Sequence, residues 1–153
     1  MIHRKKGFTY IELLVAATIL AVLASAALPM VRLSVKRKKE IKLRRDLREM
    51  RTAIDRYKEM ADRGVIPRGA NESMGYPPDL ETLVKGVRLL GTLSQKMKFL
   101  RKIPIDPMTG EAEWGLRSVQ DDPESTTWGG QNVFDVYSLS EGTAINGTPY
   151  KEW

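Results

Sequence analysis

The chain has 153 residues, of which 42% are hydrophobic and 29% charged, with a formal net charge of +6 and a pI near 9.6. It has no cysteine and a single histidine, His3, which excludes disulfide and thiolate chemistry and leaves no histidine cluster for a metal or a general base. Once the apolar N-terminal stretch is set aside, 122 residues remain, enough for one small domain with one modest core.

Met1–Lys6 is basic, with Arg4, Lys5 and Lys6. Phe8–Val31 is then apolar or weakly polar, and its only ionisable side chain is Glu12. Twenty-four residues as a helix reach about 36 Å, enough to cross a bilayer core. A carboxylate inside such a segment costs on the order of a few kcal/mol at mid-bilayer, so it marks a function by default. Placed one turn into the run, Glu12 costs less and asks for a cation. Ala24-Ser25-Ala26 after an apolar stretch also matches the end of an ordinary signal peptide, which would give a mature start at Ala27.

Arg32–Arg63 contains no Gly or Pro. Leu43, Leu47, Met50, Ile54, Tyr57 and Ala61 recur at spacings of three and four, one apolar stripe on an amphipathic helix. The spacing predicts a helix from Phe8 to Arg63, kinked or locally melted at Pro29 and closed by Gly64. Gly64–Pro78 reads as a loop, and Asp79 as the cap of a short helix through about Val87. Ser94–Lys102 reads as short helix or irregular chain, and Ile103–Gly110 as a turn cluster. Ala112–Val119 and Asn132–Leu139 are strand candidates joined by the polar stretch Asp121–Gln131. Ser140–Trp153 is an irregular tail, and Trp114, Met97, Phe99 and Leu100 are candidate core residues.

Charge is segregated. Residues 32–63 carry 13 Lys/Arg against 6 Asp/Glu, whereas residues 103–153 carry 2 against 9. A basic stem and an acidic head complement each other within or between subunits. Lys36-Arg37-Lys38-Lys39 offers phosphate contacts, but a solvated face, or one set against acidic heads or lipid headgroups, is the favoured reading over nucleic acid. No nucleophile–base pair is present, which argues against an enzyme.

Lys5-Lys6-Gly7-Phe8-Thr9-Tyr10-Ile11-Glu12-Leu13 resembles the processing motif of the type IV pilin and type II secretion pseudopilin superfamily, and Pro29 matches that family's common helix proline. The resemblance implies cleavage between Gly7 and Phe8 by prepilin peptidase, N-methylation of Phe8, and assembly through Phe8, Glu12 and Pro29. Farther on, Tyr76-Pro77, Leu100–Pro104, Asp106-Pro107 and Asp135–Leu139 with the terminal Trp153 are similar to the major pseudopilin of type II secretion. It implies an α+β subunit of lollipop form: leader 1–7, transmembrane and filament-core helix 8–31, amphipathic stem 32–63 and periplasmic head 64–153 with a small antiparallel sheet. The implied life cycle is single-pass insertion in the inner membrane, then homopolymerisation into a periplasmic filament that drives protein secretion, with the assembly platform and minor pseudopilins as partners. A type IV pilus or competence pseudopilus subunit, or a signal-anchored binding domain that never polymerises, are the alternatives.

The same resemblance implies calcium in the C-terminal loop, with Leu139, Glu141, Asn146 and Glu152 as the oxygen donors here. The loop lacks aspartate and carries Lys151, so a turn pinned by Tyr150 and Trp153 is the competing reading. The positive-inside count conflicts with a periplasmic head: three Lys/Arg precede the apolar run and nine lie between Arg32 and Arg48. The Gly7-Phe8…Glu12 motif is more specific than that count and sets the expected orientation.

Overall fold

A computed structural model describes residues 7, 9–92 and 94–153, with side chains placed for all of these but 26–29. The chain divides into two compact units, Met1–Lys38 and Lys39–Trp153. The helix α1 (Tyr10–Asp62) belongs to both. It starts at Tyr10 and not Phe8, which lies outside the described residues. The helix continues through Pro29, so of the kink or local melting expected there, the melting does not occur. A proline deletes one backbone donor, and the bonds on either side suffice to hold the remaining turns.

In the first unit the helix carries no charge but Glu12 from Tyr10 to Val31. Tyr10, Ile11, Leu13, Leu14, Val15, Ile19, Leu20, Val22 and Leu23 are each at least half exposed. By length and composition the helix can cross a membrane, and none of its most apolar window is buried. Its inward-leaning hydroxyls bond back to their own turns: Thr18 Oγ1 donates to Leu14 O and Ser25 Oγ to Val22 O, both at 2.7 Å. This removes the cost of an unpaired hydroxyl in an apolar setting.

In the second unit the predicted stripe is the core. Leu43, Leu47, Met50, Ile54, Tyr57 and Ala61 are all buried, joined by Ile66, Leu83, Leu100, Trp114, Val133 and Val136. The helix ends where its glycine requires. Gly64 takes φ +68°, Gly64 N donates to Ala61 O at 3.1 Å and Val65 N to Met60 O at 2.9 Å, a Schellman closure. Arg63 therefore belongs to the turn, not to the helix. Asp79 caps α2 (Leu80–Lys85), its carboxylate accepting from Thr82 N at 2.6 Å. This helix stops two residues before the expected Val87, because Val87 is drawn into a strand.

That strand is the main departure from expectation. β1 (Val87–Arg88) pairs antiparallel with β2 (Lys96–Met97), so Ser94–Lys102 contributes a strand where a helical or irregular piece was expected. β3 (Gly115–Arg117) pairs antiparallel with β4 (Asp135–Tyr137) in the register Gly115↔Tyr137, Leu116↔Val136 and Arg117↔Asp135. The sheet expected as one is two separate two-stranded ladders in an α+β fold. β3 and β4 are shorter than their candidate segments because the flanking backbone is engaged elsewhere. Val133 N donates to Pro77 O, and Ser118 N to the Asp121 carboxylate. Gly115 is required by its partner: a Cβ there would lie 2.2 Å from the Tyr137 ring, which covers the glycine.

Candidate functional site

The N-terminal motif is built on the first turn of α1. Four backbone N–H groups at a helix start have no partner within the helix. Thr9 supplies one, its Oγ1 accepting from Glu12 N at 3.3 Å, while Thr9 O accepts Leu13 N at 3.1 Å. Thr9 is thus the N-cap and Glu12 the third helical residue. Thr-x-x-Glu is a capping-box pattern, a signal in the sequence that the charge argument passed over. A glutamate here gains from the helix dipole, which lowers the cost of keeping it beside an apolar run. Its side chain is exposed. Gly7, expected as the residue before the cut, is exposed with open space around it. Phe8, expected to be the new N-terminus, lies outside the described residues, as does the basic stretch 1–6. At Pro29 only the backbone is described.

The C-terminal loop is held from the helix by a carboxylate. Glu40 Oε1 accepts from Ile145 N at 2.8 Å and from Tyr150 Oη at 3.0 Å. Burial and the Glu40 carboxylate together push the Tyr150 hydroxyl up to about 12. Tyr150 meets Trp153 edge to face at 5.2 Å, and Trp153 Nε1 donates to Thr148 Oγ1 at 2.9 Å. Thr143 and Pro149 form an antiparallel bridge, and Tyr150–Glu152 is a 3-10 turn. The tail is therefore ordered by its own chain, where an irregular end was expected.

Of the oxygens named for calcium, Asn146 Oδ1 already accepts from Thr148 N and Thr148 Oγ1 at 3.2 and 2.8 Å. That leaves two glutamates and a carbonyl, thin for a cation that takes about 6–8 oxygens. Among the described residues no three acidic side chains gather as a metal site.

Two further polar links went unforeseen. Arg51 donates to Asp135 at 2.6 Å, to Val136 O at 3.0 Å and to Trp153 O at 2.8 Å, tying stem, β4 and tail through one guanidinium. Asp106, fully buried, accepts from Ser138 Oγ at 2.6 Å and from Met108 N at 2.7 Å. A buried carboxylate is stable only when so satisfied. Arg51–Asp135 and Asp106–Ser138 join residues far apart in sequence, and no local pattern announces them.

No curated protein and no solved structure matches the chain. Residues 2–28 match the prokaryotic N-terminal methylation motif. The chain therefore carries the motif typical of type IV pilin-like proteins, at the residues where Thr9 caps the exposed apolar helix and Glu12 stands in its first turn.

Proposed function

We propose that the protein is a structural subunit of a type II secretion pseudopilus. Prepilin peptidase cuts after Gly7, the Phe8 amino group is methylated, and the subunits leave the inner membrane for a periplasmic filament that pushes proteins through a secretion channel. One observation carries the reading: a methylation motif heads a helix whose apolar surface is exposed on all sides. Lipid covers that surface before assembly, and the helices of neighbouring copies cover it afterwards.

Glu12 acts in the transfer between the two. Cleavage creates an ammonium at Phe8, and Glu12 of a neighbouring copy pairs with it. A desolvated ion pair adds little net stability but fixes the offset between helices. Glu12→Gln keeps the shape and removes the charge. Membrane insertion and cleavage should be unchanged, and filament growth and secretion should be lost. Filament yield equal to the wild type would overturn the role of Glu12. The resemblance of Tyr76-Pro77, Leu100–Pro104, Asp106-Pro107 and Asp135–Leu139 with Trp153 to the major pseudopilin supports a pseudopilin over a long-pilus subunit.

A further inference from the structure

The stem helix carries more arginine than its own unit uses. Arg44, Arg45, Arg48 and Arg56 are exposed, and among the described residues none reaches a carboxylate within ion-pair distance. Arg44, Arg48, Arg51, Thr52 and Trp153 line one groove, with Asp55 also on its wall. Arg45, Arg48, Thr52, Arg56 and Phe99 line a second, with Glu49. Arg48 and Thr52 belong to both grooves and form the ridge between them. The Arg44 guanidinium stacks on the Trp153 ring at 4.2 Å, which holds the cation in place without neutralising it.

The complement is on the same chain. Of the nine acidic residues in 103–153, Glu111, Glu113, Asp122, Glu124, Glu141 and Glu152 form no ion pair among the described residues. Asp122 and Glu124 are exposed on a hydrogen-bonded turn. Ser125 N donates to Asp122 O at 2.8 Å, with Pro123 at the turn's second position. Asp121 anchors the turn from below, accepting from Ser118 N at 2.7 Å and Gly129 N at 3.1 Å. Arg117 and Lys151 line a groove beside this turn with Glu124, yet neither pairs with it: Arg117 faces Asp135 at 3.7 Å instead.

We infer that the arginine ridge around Arg44 and Arg48 is the docking surface for the Asp122–Glu124 turn of a second copy of this chain. An exposed arginine fork matches a carboxylate in geometry as well as charge, and it sets orientation between copies more than raw affinity. Head-to-tail use of two different patches is the kind of contact that extends a filament instead of closing a dimer. The inference rests on the filament reading above.

The chain has no cysteine, so introduced thiols report only the contact under test. An arginine–carboxylate pair holds its Cα atoms farther apart than the roughly 7 Å a disulfide tolerates. A short bis-maleimide is therefore the probe, applied to full-length Thr52→Cys/Thr126→Cys in its native membrane. Both positions are exposed, and both leave the charges intact. A ladder of multimers is expected from the double variant and not from either single one. Adding Arg44→Glu/Arg48→Glu should reduce the ladder about tenfold, and further adding Asp122→Arg/Glu124→Arg should restore it. Restoration also shows that the reversed chains fold.

No ladder, while amine-directed cross-linking of the wild type still gives multimers, overturns the docking surface and leaves the filament standing. Absence of multimers by both routes overturns both. A ladder indifferent to charge reversal overturns the inference. If the arginine reversal then also abolishes binding to phosphatidylglycerol vesicles, the ridge belongs to lipid headgroups.

Discussion

The two stretches of α1 obey the same backbone rules and differ in what they bury. From Tyr10 to Val31 the only charged residue is Glu12, and the described side chains stay exposed; residues 39–62 set an apolar stripe from Leu43 to Ala61 against the rest of their unit, and that stripe is fully covered. Leu43 and Leu47 are at 0% and 2% exposure, whereas Leu20 and Leu23 are at 66% and 62%. The second stretch finds its partner within the chain, and the first must find it outside. Burial of apolar area stabilises only the state in which the cover is present. Mutations in the two stretches should therefore register in different assays.

The largest contrast is in core truncation. Ile54→Ala should lower the stability of unit Lys39–Trp153 by about 2–5 kcal/mol, since it empties part of a closed core. Leu20→Ala should change it by less than about 0.5 kcal/mol, since Leu20 is 66% exposed and empties no core. Thermal midpoints of the full chain in detergent check both, and equal shifts would erase the distinction.

Next in size is the buried carboxylate. Asp106→Ala leaves the Ser138 hydroxyl and the Met108 amide without their acceptor and should cost about 1–3 kcal/mol in urea unfolding. A cost near zero would mean that the turn at 103–110 is not fastened to Ser138, just beyond β4.

Glu40→Gln should have a smaller effect, about 1 kcal/mol, together with a change in pH response. The Tyr150 hydroxyl is held more tightly protonated in the folded state than in the unfolded chain. Its contribution is thus fully present below pH about 10, the ordinary tyrosine value, and is lost as pH rises through about 12. Removing the Glu40 charge should shrink this alkaline loss. An unchanged alkaline profile would show that the loop is not held from the helix.

The smallest expected effect is that of calcium. With Asn146 engaged by Thr148 and the loop tied to Glu40, neither a chelator nor millimolar calcium should move the thermal midpoint. Calcium-dependent stabilisation would restore the ligand set Leu139, Glu141, Asn146 and Glu152, because a ligand that binds only the folded state raises its midpoint.

What could be read in the sequence was what repeats or punctuates. The stripe from Leu43 to Ala61, the stop at Gly64 and the cap at Asp79 all rest on local rules, and all three hold. The β1–β2 hairpin did not show itself because two-residue strands have no period, and Val87-Arg88 follows a helix without a break other than Gly86. The links Arg51–Asp135, Glu40–Tyr150 and Asp106–Ser138 span 32 to 110 residues, so only the folded chain brings them together. Glu12 stood out as a lone charge, while its helix-start geometry with Thr9 was legible in Thr-x-x-Glu and needed the cap to be recognised. The processing residues Gly7 and Phe8 rest on the motif, not on folded geometry.

The intact mass of the protein from its native membrane tests the central claim most directly. The account predicts a chain that begins at Phe8 and carries one added methyl group on its amino terminus. A chain beginning at Ala27, or an uncut chain beginning at Met1, would contradict it.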